Sequence, residues 1–494
     1  MTRIITNVKS FLLENRTTKQ TLFKNTSWIV LSTAVGRVLG TIWVIYITRI
    51  LGAVEYGKLA FALAFVSLFV SFLDLGLSTI VTREFSRDRE REKEFPAIFT
   101  LKILLGLGTA VLIFIASFFV TDNPEIQRII WILAFFTFIS QFPETFYAFF
   151  WAREKMEYAS LANIFQVLLI TGCGFLVIFR FPSVKNISYS YLFASLIALI
   201  PLLILFHFKF FPLKISFQVN IWKKFLKMSW PLALTSIFGV IYGYIDSTIM
   251  GFLGQITQIG WYNAALKIAS FLASPASIIA LSFFPVLGKF SKKSKEEFQK
   301  VWNRQTEIMI FLAFPAVVGG FVLAPKIINF IYGSDYNPSI LAFQILIFMA
   351  GINFLNRSFS QVLIVADQQR KIFLVTVSGA LINIVLNLIL IPKYSLYGAA
   401  AAAVITHFLM FFLYFIFTAK FTLIRPLNLE IFLISLKAIL AAGVMYFIIS
   451  WPQIYYLNVF LSVLIGGTVY IITFFVLKSL LNYSFNRLII KKNP

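Results

Sequence analysis

Apolar residues dominate the chain in runs of about 20, each long enough to cross roughly 30 Å of hydrocarbon as a helix. Short polar or charged segments separate them. The pattern predicts fourteen spans, centred near Val38, Val70, Thr109, Phe138, Thr171, Leu196, Val240, Ser274, Ala316, Phe348, Ala380, Phe408, Ala441 and Ile465. Helices are the expected spanning form, because lipid offers the backbone no other way to satisfy such long runs. The first 24 residues are polar and basic, without a small-residue cleavage site. The first span is therefore expected to act as the insertion signal.

The two halves repeat one another. Ser27 to Gly52 (SWIVLSTAVGRVLGTIWVIYITRILG) aligns without gaps to Ser229 to Gly254 (SWPLALTSIFGVIYGYIDSTIMGFLG). One extra residue then brings EYGKLAFAL, from Glu55, onto QIGWYNAAL, from Gln258. Both copies later reach Glu-Phe, at Glu94-Phe95 and Glu297-Phe298. A repeat of six spans predicts two six-helix lobes of equal orientation, related by an axis along the membrane normal. The expected division is an N-lobe over 1–206, a cytoplasmic linker over 207–222, a C-lobe over 223–420, and two added spans with a tail over 421–494.

Composition agrees with an all-α integral membrane protein: 59% of residues are hydrophobic and 13% charged. The net charge of +23 invites a nucleic-acid reading, but no aqueous basic domain is visible, so no nucleic-acid partner is expected. Most of the 43 Lys and Arg residues sit in the two termini and in loops after even-numbered spans, such as REFSRDREREKE (Arg83 to Glu94) and KFSKKSKEEFQK (Lys289 to Lys300). This asymmetry predicts a multi-pass inner-membrane protein with both termini cytoplasmic, attracted to anionic membrane lipids. A single cysteine, Cys173, rules out a disulfide within the chain, and two histidines leave no Cys/His metal site. No nucleophile–base set is visible, so an enzyme is not expected.

Ionisable residues within the spans carry the candidate chemistry, since each costs about 2.5–3.5 kcal/mol at a helix centre. Arg37 is the first. Thr26, Thr33, Gly36, Gly40, Thr41 and Thr48 share its half of the helix, a polar stripe suited to water and a pyrophosphate. Its alternative is a structural ion pair with Asp74. Lys267, a turn past Asn263, and Arg357, beside Asn353 and Asn356, are the cations of the second half; their alternative is snorkelling to an interface. Lys102 and Lys437 lie nearer span ends, where snorkelling is favoured. Asp74 and Asp246 are candidates for coupling to Na+ or H+, Asp246 with Ser247 and Thr248 as further oxygens. Their alternative is again structural pairing. Glu307 is expected at an interface, and Glu144 is open to either role.

Four stretches resemble the flippase branch of the multidrug/oligosaccharidyl-lipid/polysaccharide exporter superfamily: Thr48 to Phe65 (TRILGAVEYGKLAFALAF), Asp74 to Ser86 (DLGLSTIVTREFS), Phe149 to Ile164 (FFWAREKMEYASLANI), and Ile364 to His407 with Asn383 and Asn387. The resemblance implies a fourteen-helix fold around a central cavity. It also implies an O-antigen-unit type of substrate: an oligosaccharide on a polyprenyl diphosphate, moved from the inner to the outer leaflet. Arg37, Lys267 and Arg357 would then bind substrate, and other polysaccharide-assembly membrane proteins are candidate partners. GRVLG (Gly36 to Gly40) followed by TRILGA (Thr48 to Ala53) is also similar to lipid II flippases. Those carry a further arginine where this chain has Trp43, which argues against lipid II as substrate. The rival readings are a cation-coupled multidrug exporter, a membrane-embedded polymerase or acyltransferase, and a non-transporting scaffold.

Overall fold

The computed structural model describes residues 17–291 and 293–490. The basic residues before Thr17, Lys292 and the tail lysines Lys491 and Lys492, all part of the topology argument, lie outside the described residues. Within them the chain is helical. Twelve stretches are long and apolar enough to cross a membrane. Two exceed any single crossing: Gln20–Arg87 has 68 residues and Gln369–Phe421 has 53.

The first long stretch holds α1 (Thr18–Ser67), α2 (Val70–Asp74) and α3 (Leu77–Arg87). It breaks at Gly52, with φ 75° and ψ 173°, a conformation open to glycine and strained for other residues. It breaks again at Leu75 and Gly76, both left-handed, directly after Asp74. Next come α4 (Phe95–Ser117), α5 (Pro124–Gln141), α6 (Pro143–Ala152), α7 (Met156–Arg180), α8 (Val184–Lys209) and α9 (Val219–Phe252). After them lie α10 (Ile256–Ala273), α11 (Pro275–Ser291), α12 (Lys295–Val322), α13 (Ala324–Tyr332) and α14 (Pro338–Val365). The last are α15 (Gln369–Phe421), α16 (Leu429–Ser450), α17 (Pro452–Tyr455) and α18 (Val459–Ile490). α15 is the second long stretch and breaks at Ser395 (φ 51°, ψ −129°), three residues after Pro392.

The chain divides into two compact units, Met1–Gly260 and Trp261–Pro494. This boundary by packing lies well beyond the expected linker at 207–222. The reason is α9, which packs on α1, α2, α3 and α4. Two glycines allow that approach: a Cβ on Gly76 would lie 2.8 Å from Leu232 Cβ, and one on Gly251 would lie 1.9 Å from the Phe61 ring. Ser71 and Ser236 hydroxyls add a 2.8 Å hydrogen bond between α2 and α9.

In the first unit, a phenylalanine cluster (Phe85, Phe95, Phe146, Phe149, Phe150 and Phe206) closes one end, with Phe146 and Phe206 centroids 4.7 Å apart. An ion-pair hub borders it. Arg91 binds Glu84, Arg153 binds Glu92 at 2.5 Å, and Lys224 binds Glu94 at 3.0 Å. The charged stretch Arg83 to Glu94 is therefore a fastener joining α3, α6 and α9, beyond its part in the topology signal. In the second unit, Trp302 and Phe359 centre one cluster, and Ala438, Ala441, Ala442 and Met445 another.

Candidate functional site

α1 presents Arg37 on an exposed face with Leu31, Thr33, Val38 and Ile42. The expected polar stripe holds only in part. Thr33 shares the exposure, but Thr48 is fully buried. Gly36 faces Val167 and Asn163 at van der Waals distance, and nothing lies within 4 Å of a Cβ on Gly40. Gly36 and Gly40 are thus not the site of a tight helix crossing. Trp43 is 3% exposed, its indole donating to the Tyr191 hydroxyl at 2.7 Å. Its ring fills the space left by Gly174 and stands edge-on to Phe175. Six residues from Arg37 at 100° each, position 43 points into the helix packing instead of sharing the arginine's exposed face.

Asp74 has a partner, and it is Lys102. Lys102 Nζ lies 2.6 Å from Asp74 Oδ1 and donates to Ser78 Oγ at 2.8 Å. Ser78 Oγ in turn donates to Asp74 Oδ1 at 2.6 Å, and the Ser78 amide donates to the same oxygen at 3.2 Å. The expectation that Lys102 snorkels is corrected: its side chain is 5% exposed. Burial is tolerable because a neighbouring helix carries its counter-charge. Glu144, half-buried at the start of α6, lies within electrostatic reach of both. The alternative pairing of Arg37 with Asp74 gives way to this triad, and Asp74 as an ion-coupling residue is already neutralised.

Asp246 is buried in α9, its Oδ1 accepting from the Ser247 amide at 2.7 Å. Ser247 and Thr248 are buried beside it, and the Thr248 hydroxyl donates to the Tyr244 carbonyl at 2.9 Å. Three oxygen-bearing side chains therefore follow one another at one buried level, with the Thr248 proton already spent on the helix backbone. Among the described residues no His/Cys/Asp/Glu cluster could hold a metal ion.

In the second unit, Lys267 is half-buried on α10 among Ala264, Ala265, Ile268 and Ala269. Arg357 is exposed on α14, its charge felt by His407 and Tyr414 of α15. Neither has an ion-pair partner among the described residues. Polar contacts lie on α14 on either side of Arg357: Asn356 donates to the His407 carbonyl at 3.2 Å, and the Ser358 hydroxyl meets that of Thr306 at 2.8 Å. Gln305 donates to Gln361 at 2.5 Å, and Asn387 donates to Asn383 at 3.0 Å. Gln305 and Gln361 are not among the predicted residues, although an amide within an apolar run is a visible signal. Lys437, expected to snorkel, is 6% exposed in α16, with Glu307 and Lys478 as charged neighbours. Glu307 itself pairs with Arg304 at 2.7 Å and with Lys478.

The chain is similar in sequence and in fold to known proteins. The pattern of the family described as polysaccharide biosynthesis protein matches residues 22–291, more than half of the chain. The chain belongs to that family. The MatE family pattern matches residues 231–389. The capsular polysaccharide biosynthesis protein CapF of Staphylococcus aureus is 22% identical over 80% of this chain and 99% of its own. The lipopolysaccharide biosynthesis protein WzxC of Escherichia coli K12 is 20% identical over 65% of each. The fold is similar to that of the lipid II flippase MurJ in an inward closed conformation. The TM-score is 0.73 at 18% identity, over 92% of this chain and 99% of that one. An inward-facing MATE family multidrug transporter follows at 0.64 and 16% identity, over 78% and 94%.

Proposed function

We propose that this protein flips a polyprenyl-diphosphate-linked oligosaccharide from the cytoplasmic to the outer leaflet, for cell-surface polysaccharide assembly. The two long helical stretches each count as two crossings, making fourteen, with both termini cytoplasmic in an inner membrane. Two six-helix lobes alternate access to the head group. The observation that carries this reading is the set of cations within apolar helices. Lys267 and Arg357 have no carboxylate partner among the described residues, and Arg37 is exposed on a face it shares with Leu31, Thr33, Val38 and Ile42. A charge held in a spanning helix at such cost has a task, and guanidinium and ammonium groups fit a diphosphate.

The match to MatE and the likeness to a multidrug transporter favour a second reading, a cation-coupled drug exporter. Cationic drugs call for acidic walls, whereas both candidate acids, Asp74 and Asp246, are engaged and the exposed charges are basic. We assign a coupling Na+ or H+ to Asp246, where the Ser247 and Thr248 oxygens are buried beside the carboxylate.

The test is head-group exposure in proteoliposomes, using a fluorescent polyprenyl diphosphate sugar and a membrane-impermeant quencher. Arg37→Ala, Lys267→Ala and Arg357→Ala should each slow exposure while the protein still purifies folded. Wild-type rates in all three would overturn the reading.

A further inference from the structure

A small apolar slot of about 190 Å³ opens in the second unit between α12, α13, α16 and α18. Gly319, Gly320, Met445, Ile449, Ser462 and Gly466 line it. It is smaller than the roughly 300–1,000 Å³ that takes a drug-sized molecule. Its apolar lining suits a hydrocarbon chain. Gly467 also lines it, and nothing lies within 4 Å of where its Cβ would stand.

A cation stands at its mouth. Lys326, on the short helix α13, donates from Nζ to the Leu457 carbonyl at 2.7 Å and to Ser462 Oγ at 3.3 Å. The ammonium sits 4.7 Å from the Tyr455 ring centroid. Among the described residues no carboxylate pairs with it, so its full charge and a third N–H remain for a ligand. Ser462 touches both the ammonium and the slot, and Ile327, next to Lys326, lines the slot as well. Trp451 and Tyr456 are 61% and 83% exposed on the adjoining loop. Such aromatic residues mark the boundary between hydrocarbon and water. An interfacial ammonium above an apolar slot is complementary to one kind of molecule: an anionic head on a long chain.

We propose that this is a resident site for an anionic glycerophospholipid of the leaflet opposite the termini. Its phosphate rests on Lys326 and one acyl chain fills the slot past Ser462. The site depends on the spanning topology and is independent of what the protein transports.

Purified full-length protein, stripped of lipid in detergent, would be given phosphatidylglycerol or phosphatidylcholine with identical chains. Retained lipid is counted by native mass spectrometry, and melting temperature is followed in parallel. Wild type should retain phosphatidylglycerol in preference. Lys326→Gln keeps a donor for Leu457 but loses the charge, and should lower that retention roughly five-fold, the scale of one interfacial lysine. Lys326→Arg should keep the preference. Gly467→Leu, which fills the slot, should lower retention of both lipids. Equal retention of the two lipids by wild type, or an unchanged preference in Lys326→Gln, would overturn the proposal. So would retention of undecaprenyl phosphate in place of phosphatidylglycerol. Should Lys326→Gln fail to fold, Lys326→Arg and Gly467→Leu still decide the matter.

Discussion

Gly57 and Gly260 meet reciprocally. A Cβ on Gly57 would lie 2.0 Å from the Ile256 carbonyl oxygen, and one on Gly260 would lie 2.1 Å from the Ala53 carbonyl oxygen. Each glycine touches the carbonyl four residues before the other. Both pairs are 203 residues apart (260 less 57, 256 less 53), the spacing that relates Glu55 to Gln258 and Glu94 to Glu297 in the sequence repeat. The contact thus joins positions that the spacing of the sequence repeat relates. Gly57→Val and Gly260→Val force backbone apart, and overpacking of this kind costs about 1–3 kcal/mol or more. Each should lower the melting temperature by several degrees and slow head-group exposure. Gly108→Val, where nothing lies within 4 Å, should do neither.

The Asp74–Lys102 pair should behave as a unit. Removing one charge from a buried pair costs about 3–5 kcal/mol, and less where, as for Asp74, a third of the side chain is exposed. Asp74→Asn and Lys102→Met should each cut stability by about 1–3 kcal/mol on that scale. The double variant should recover much of the loss. Thermal unfolding in one detergent checks this, and additive losses would contradict the pairing.

Trp43 is expected to matter for folding alone. Trp43→Phe removes the bond to Tyr191, worth about 0.5–1.5 kcal/mol, with exposure rates unchanged. Trp43→Arg places a guanidinium against Gly174 and Phe175 and should prevent recovery of folded protein. Gel filtration and a transport assay separate the two effects.

At Asp246 the expectation concerns coupling. Asp246→Asn should abolish any acceleration of head-group exposure by an imposed Na+ or pH gradient while leaving gradient-free exchange in place. Asp74→Asn should keep the acceleration, because Lys102 already holds that carboxylate. Proteoliposomes with and without each gradient supply the comparison.

Much of this was legible in the sequence. Run length and apolar composition are one-dimensional properties, so the helical membrane fold could be read directly. Arg37, Lys267 and Arg357 stood out because intramembrane charge is rare. Ion-pair partners were harder to read. Lys102 was expected at an interface from its distance to a span end, but what governs it is Asp74, 28 residues earlier and across a helix break (102 less 74). Trp43 lies close to Arg37 in sequence, yet a helix turns the two to different sides. The division at Gly260 was also hidden, because it rests on glycines whose missing side chains only acquire meaning once α9 lies against them.

The link between Asp74 and Lys102 also bears on how the chain is made. Asp74 emerges from the ribosome well before its counter-ion, so the nascent protein holds an unmatched acid until the following crossing has been synthesised. Registration of the preceding helices is therefore expected to wait for α4, which carries Lys102, so this half should assemble by groups of helices.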